Sequence, residues 1–317
     1  MNGKQVVVTG ASGYLGQHVI AELIKQGASV RAVLRVDAPP ADLAFLQKLG
    51  AVIYTGQLGG GPGDFDRAFS GADYGLHLIG SVAPPRGGPS VQELHQSYSL
   101  YFARACARAG LKKAVLVTAL GADKNSASQY LASKELAETA FSQCLQEAGV
   151  ACAIVRPSLI VGRLVGSRDS KLVDRYRTLL KTRPTVPLVG GGINMLEPVF
   201  VGDLAVAIVK ILEQEGAGPA TIYQIGGPEK MTMRQFVQAL ATSLSISKPL
   251  VNLPGPVAAF AAAILGVVQA VPLLSSDQVR LAHLDMVTEK NDLPALIAPQ
   301  VVTPLSTALA SYALNKA

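Results

Sequence analysis

Near the start of the 317-residue chain an apolar run, Val6–Thr9, meets Gly10-Ala11-Ser12-Gly13-Tyr14-Leu15-Gly16, and apolar residues at helical spacing follow to Leu23. Few local patterns constrain a fold as strongly. A strand that turns at once into a helix needs a permissive backbone at the bend, and Gly10 supplies it. Gly13 leaves room for a ligand to approach the main chain, and Gly16 lets the helix pack closely on the sheet. The first helical turn then presents free N–H groups and the positive end of its dipole to an anion. The segment from Gly10 through Ser12, Gly13, Tyr14 and Leu15 to Gly16 therefore reads as a pyrophosphate cradle for a dinucleotide. Its spacing is GxxGxxG, not the GxGxxG of many dehydrogenases.

The rest of the chain continues this rhythm. Strand-like runs at Val6–Thr9, Ser29–Leu34, Ala51–Tyr54, Tyr74–Ile79, Ala114–Thr118 and Cys152–Arg156 alternate with helical patterns at Tyr14–Lys25, Asp42–Leu49, Val91–Ala109 and Ser128–Glu147. That order predicts an α/β fold, a doubly wound parallel sheet with helices on both faces. Its central strands are expected to be continuously apolar, because both sides are buried. Beyond Arg156, Pro and Gly become frequent, as in "TRPTVPLVGGG" and "QIGGPEK". We expect a dinucleotide-binding domain over residues 1–162, with 199–215 and its helix Gly202–Gln214 returning to it. A smaller C-terminal lobe over 163–317, which includes a helix at Thr232–Leu244, would carry substrate or docking contacts.

Composition narrows the function. The excess of 28 basic over 22 acidic residues is scattered, with no tract suited to nucleic acid. Cys106, Cys144 and Cys152 lack metal-binding or redox spacing and read as small buried hydrophobes in a reducing compartment. His18, His77, His95 and His283 are far apart and suggest no metal site. No secretory leader precedes the first strand, so the expected location is cytoplasmic or peripheral at the inner face of a membrane. No charged residue occurs from Pro249 to Ser276. Within that stretch "VAAFAAAILGVVQAV" would form a helix of about 22 Å, too short for a bilayer core of about 30 Å. It reads either as a core or lid helix or as a docking surface for a membrane or a partner.

Two positions point to cofactor and chemistry. The second strand ends in "ASVRAVLRVDAPP". An acidic residue there would bond the ribose 2′-hydroxyl of NAD, whereas guanidinium groups suit a 2′-phosphate. Arg35 is the stronger candidate and Arg31 the weaker, so NADP is favoured over NAD; Asp37 would oppose the phosphate if it pointed inward. Farther on, Tyr130 and Lys134 lie four apart on one helical face. An adjacent ammonium favours phenolate, so the pair is expected to lower the tyrosine pKa and exchange a proton with a substrate oxygen.

The motifs "VTGASGYLG", "LGADKNSASQYLASKELAE", "IVRPSLIVG", "EPVFVGDLA", "YQIGGPEKMTM" and "SSDQVRLAHLDMV" together span nearly the whole chain. In them the chain resembles the atypical branch of the short-chain dehydrogenase/reductase superfamily. It further resembles bacterial relatives of the nucleotide-binding accessory subunit of respiratory complex I. The resemblance implies a Rossmann-type fold, pyrophosphate contacts at the three glycines, a 2′-phosphate contact at Arg35, and Tyr130 and Lys134 as the catalytic pair. It puts Pro157 and Ser158 near the nicotinamide end and Gly80 of "HLIG" along the cofactor. The usual Ser or Thr beside the tyrosine has only Thr118 as a counterpart. Where relatives often carry an adenine-binding Asp, this chain has Gln57, followed by Leu58. Arg163 and Arg168 read as surface arginines or as contacts for an anionic substrate. Three functions fit: a nucleotide-bearing subunit of a respiratory membrane complex, an active NADPH-dependent reductase or epimerase on a small carbonyl substrate, and an NADP-sensing regulator.

Overall fold

A computed structural model of the chain describes residues 1–56, 64–82, 87–214, 220–259 and 275–314. The expected strands form at β1 (Gln5–Thr9), β2 (Ser29–Leu34), β3 (Val52–Thr55), β4 (Tyr74–His77), β5 (Lys113–Val117) and β6 (Ala151–Pro157). With a late strand, Thr221–Ile225, they make one seven-stranded sheet in the order Thr221–Ile225, β6, β5, β4, β1, β2, β3. Every pairing in it is parallel. The chain runs outward one way from β1 through β3 and the other way from β4. The crevice where a ligand binds in such sheets therefore opens between the ends of β1 and β4, where Thr9 pairs with His77.

Alternate residues of one strand feed opposite cores. Val6 and Val8 pack with α1 (Tyr14–Lys25) and with α7 (Val201–Glu213), while Val7 joins the cluster holding Phe102 and Phe141. That second face is covered by α3 (Asp64–Phe69), α4 (Tyr98–Ala109) and α5 (Gln129–Glu147), whereas α2 (Pro40–Leu49) packs on the first face with α1 through Leu46. A third core, with Tyr176, Phe236 and Tyr312, belongs to the C-terminal lobe. It forms around α6 (Lys171–Thr182), α8 (Met233–Ser243) and the helix Leu305–Leu314.

The two lobes are tied by polar contacts. The hydroxyl of Tyr14 donates to the Gly162 carbonyl. His18 Nε2 accepts the N–H groups of Leu164 and Val165 at 3.0 and 3.3 Å. Arg168 is exposed, as a surface arginine would be, and pairs with Asp42 of α2 at 2.6 Å. After Arg156 the chain returns to the main sheet twice: α7 packs on α1, and Thr221–Ile225 extends the sheet beyond β6.

Among the described residues no helix is long and apolar enough to cross a membrane. The segment 257–271 lies outside the described residues apart from 257–259, and so do Gln57 and Leu58. Cys106 and Cys152 are buried, as expected, and Cys144 is half-buried.

Candidate functional site

The glycine turn is built as its residue types require. Gly10 has φ +75°, and a Cβ there would lie 2.7 Å from the Leu78 carbonyl carbon. At Gly16 a Cβ would meet the Gly10 carbonyl oxygen at 2.2 Å. Gly13, by contrast, is exposed and nearly open, with only the Gly10 oxygen near its Cβ position at 3.1 Å. It caps α1 without a side-chain hydrogen bond, and no acidic residue occupies the helix's first turn. No side chain at Gly13 covers the N–H groups of that turn, which suits an anion. Tyr14 and Leu15 can serve such a ligand through their main chain, because the Tyr14 side chain is turned to the C-terminal lobe. Gly16→Ala should force α1 off the turn. The expected cost is about 1–3 kcal/mol in urea unfolding, together with loss of dinucleotide binding. An unchanged unfolding midpoint would contradict this packing.

At the end of β2 the two arginines divide their roles. Arg31 Nη1 donates to the carbonyls of Ala68 and Ser70, at 2.9 and 2.6 Å, and so closes the C-terminal end of α3. Arg35 is exposed and faces Asp37 across 3.4 Å. It is the guanidinium left available at the sheet edge, and Asp37 is its neighbour, not an inward-facing carboxylate.

Tyr130 and Lys134 share a face of α5, as expected: the Lys134 ammonium lies 5.7 Å from the Tyr130 ring centre. The side chain of Lys134 is buried, at 4% exposure. Yet among the described residues its ammonium has no hydrogen-bond partner. It abuts exposed Gly80, where a Cβ would come within 2.6 Å of it, so the ammonium is approached across that glycine. The Tyr130 hydroxyl likewise has no hydrogen-bond partner among the described residues.

Sequence reading missed the histidines that wall this site. A π-helical turn at Glu93–Ser97 places His95 edge-on to the Tyr130 ring at 5.4 Å. His95 Nε2 accepts the Ser81 N–H at 3.2 Å, so Nδ1 carries the proton and donates to Ser133 Oγ at 2.7 Å. Ser133 in turn donates to the Tyr130 carbonyl at 2.8 Å. His77 contacts Thr9 Oγ1 through Nδ1 at 2.6 Å, and its buried Nε2 has no partner among the described residues. Burial, with the Lys134 charge adding, pushes His77 down to about 3 and His95 to about 2. Both rings are neutral at physiological pH. Burial also pulls Lys134 down to about 8, against a smaller upward pull from Glu138.

Two expectations, for Tyr130 and Thr118, differ from the structure, which also shows the hydrogen bonds of Ser158 and Pro157. Tyr130 is not shifted toward phenolate: burial, with the Asp277 charge adding, pushes it up to about 12. Desolvation outweighs the neighbouring ammonium, so the hydroxyl holds its proton. Thr118 is buried, and its hydroxyl donates to Glu138 Oε1 at 2.6 Å, where Glu138 also grips Arg156. In this structure it serves that ion pair. Ser158 Oγ donates to the Met286 carbonyl at 2.6 Å and accepts the Glu197 N–H at 3.2 Å. Pro157 is buried in β6, and its carbonyl accepts the Leu120 N–H at 3.1 Å. The Ser158 side chain is thus used within the protein.

The glycine cradle, the open-ended ammonium and the exposed guanidinium follow one edge of the sheet, as a dinucleotide would. Comparison with known proteins agrees. The chain is 28% identical over 262 residues to a mitochondrial NADH dehydrogenase [ubiquinone] 1 alpha subcomplex subunit 9 of Arabidopsis thaliana, which covers 81% of this chain. This chain spans only 62% of that plant subunit. It is 26% identical to a ceramide reductase of Caulobacter vibrioides, over 79% of this chain and 74% of that one. Among solved structures, a UDP-glucose 4-epimerase of Thermotoga maritima has the same fold, with TM-score 0.73 at 18% identity over 97% of this chain and 96% of that one. The model of the NAD dependent epimerase/dehydratase family matches residues 6–226, and the chain belongs to that family.

Proposed function

We propose that the chain holds a nicotinamide dinucleotide, NADP(H) in preference to NAD(H), as a nucleotide-bearing protein similar to the accessory subunit of respiratory complex I. One observation carries the binding: a buried ammonium, Lys134, with no hydrogen-bond acceptor among the described residues, set directly against the side-chain-free Gly80. A buried cation without a partner is costly unless a ligand supplies oxygens, and ribose hydroxyls are such acceptors. The α1 N-terminus suits the pyrophosphate, and Arg35 suits a 2′-phosphate. A ligand held this way stabilises the native state whether or not it reacts. The likeness to the plant subunit supports a respiratory complex as partner. The commitment of Thr118 to Glu138 favours a binding role, because it removes the hydroxyl that would orient a carbonyl.

A second reading, an active NADPH-dependent reductase or epimerase, has its own support. Bound nicotinamide would supply or accept the hydride. The protonated Tyr130 hydroxyl, free of protein partners, would give a proton to the carbonyl oxygen, and Lys134 would hold its positive charge beside it.

Titration decides the cofactor. NADPH should bind at least about tenfold more tightly than NADH, and Arg35→Ser should erase most of that difference, one charge-assisted contact being worth about 1.5–3 kcal/mol. Equal affinities in the unmodified protein would refute the NADP preference. Native electrophoresis of membrane extracts then separates the two roles. Co-migration with a respiratory complex supports the first, and carbonyl-dependent NADPH oxidation abolished by Tyr130→Phe supports the second.

A further inference from the structure

The helix that carries Tyr130 and Lys134 is capped from the other lobe. Ser128 occupies the N-cap of α5, and its hydroxyl oxygen accepts the Leu131 N–H at 3.3 Å. That same hydroxyl donates to Asp277 Oδ2 at 2.9 Å. The N–H of Gln129 donates to Asp277 Oδ1 at 2.8 Å, and that of Tyr130 to Oδ2 at 3.1 Å. One carboxylate, 147 positions away from Tyr130 in sequence, thus satisfies two of the orphan donors of the helix and its N-cap together. The helix has no acidic residue of its own in that turn, so Asp277 also supplies the negative charge its dipole favours.

Asp277 is itself held in place. It lies in the short helix Ser276–Leu281, whose start is fixed by a reciprocal pair: Ser275 Oγ accepts the Gln278 N–H at 3.2 Å, and Gln278 Oε1 accepts the Ser275 N–H at 3.0 Å. Val279 buries against Val189 and Ala258 of the C-terminal lobe. The carboxylate follows directly on the stretch 249–276 that carries no charge.

We propose that Asp277 is a positioning residue for Tyr130 and Lys134, fixing the first turn of their helix from the C-terminal lobe so that the pair faces the nucleotide only while the segment 275–281 is docked. The coupling is reciprocal by thermodynamic necessity: nucleotide bound at the pair stabilises the docked segment by as much as docking favours the nucleotide. This inference rests on the reading that the Tyr130–Lys134 face meets the nucleotide, but its test does not depend on that reading alone.

Lys134 lies on α5, His95 on the facing π-helical turn, and Asp277 on the C-terminal segment with Arg280 at 3.8 Å from it. His95 is neutral at physiological pH, as is Tyr130 itself. Removing the Asp277 charge takes away a repulsion against phenolate, so the Tyr130 titration should move to lower pH.

Asp277→Asn tests the proposal, with Asp277→Glu as the conservative rescue. An amide keeps the shape but offers one acceptor oxygen to three donors. In the Asn variant, amide hydrogen exchange at Gln129 and Tyr130 should rise about tenfold, the loss of one hydrogen bond to a charged group. NADPH affinity should fall about five- to tenfold. The phenol absorbance titration, read as the difference from the Tyr130→Phe variant in each background, should shift to lower pH. Asp277→Glu should restore part of each effect. Faster exchange with unchanged NADPH affinity and an unchanged phenol titration would reduce Asp277 to a mere helix cap and overturn the proposal. If the unmodified protein binds no nucleotide, the functional reading falls. The phenol titration then decides alone, a shift supporting the positioning role and its absence overturning it. Should Asp277→Asn fail to fold, Ser128→Ala removes one of the same three donors, and it must produce the weaker form of the exchange and affinity changes or the proposal fails.

Discussion

Lys134→Met should make the protein more stable while abolishing its hold on dinucleotide. The ammonium is buried at 4% exposure with no hydrogen-bond partner among the described residues. Its neighbours His77 and His95 are neutral, and Glu138, one turn along α5, is already engaged by Arg156 and Thr118. Burial lowers the lysine from its ordinary 10.5 to about 8. Since the folded value lies below the unfolded one, the unfolded chain binds the extra proton between those limits. The penalty is therefore full below pH 8 and fades as pH rises toward 10.5, so folding stability increases over that window. A drop of that size corresponds to about 3 kcal/mol at pH 7. Methionine keeps the length of the side chain and removes the charge, so we expect a gain of about 2–3 kcal/mol in urea unfolding at pH 7. The gain should shrink above pH 9. NADPH affinity should fall at least about tenfold, because the ribose would lose its charged donor. A methionine variant less stable than the unmodified protein would show that the ammonium has a compensating partner in the fold. On the proposed reading, the site is kept at the expense of stability because a ligand needs it.

How much of this was legible in the sequence follows from how local each feature is. The cradle depends on Gly10, Gly13 and Gly16, whose roles arise within one turn of chain. The shared face of Tyr130 and Lys134 needs only helical periodicity. Other features depend on partners that spacing cannot name. Thr118 looked like a candidate hydroxyl for a substrate, but its commitment is set by Glu138 on α5 and Arg156 on β6. Arg31 and Arg35 look equivalent on one strand, yet the carbonyl ends of α3 claim the first. His77 and His95 are far apart in sequence and reach the same site only because β4 ends at the switch of strand order while a π-helical turn aims His95 inward. The strand Thr221–Ile225 escaped because "TIYQI" is short and lies among Gly- and Pro-rich segments, with Thr221 and Ile222 exposed at the sheet edge. The tyrosine pKa shift lies beyond sequence for a general reason. Sequence shows which charge stands four residues away, but not how much water the fold leaves around the phenol.

Acidification from pH 7 to pH 5 should cost the protein about 4 kcal/mol of folding stability, through His77 and His95. Each is buried and neutral, held down to about 3 and about 2 respectively, against an ordinary 6.5 in the unfolded chain. Between 6.5 and the folded values the unfolded state binds more protons, so stability falls with falling pH, by about 2 kcal/mol for each ring at pH 5. Protonating His77 would put a charge 5.0 Å from the Phe102 ring centre, in a wall already holding the Lys134 ammonium, with no acceptor for its Nε2 among the described residues. Protonating His95 would turn Nε2 from acceptor to donor against the Ser81 N–H and break that hydrogen bond. His18 is also held below its ordinary value by burial, and it acts in the same direction. The buried carboxyls of Asp169 and Asp203 act oppositely, because desolvation raises their pKa and they gain protons first in the folded state. Their ordinary range lies near 4, so that relief comes mostly below pH 5, after the histidine loss has begun. Urea midpoints at pH 7 and pH 5 read the effect directly. His95→Gln, whose amide can still accept from Ser81, should halve the difference between the two pH values. A protein equally stable at both would mean that these rings reach water and take up their protons without opening the fold.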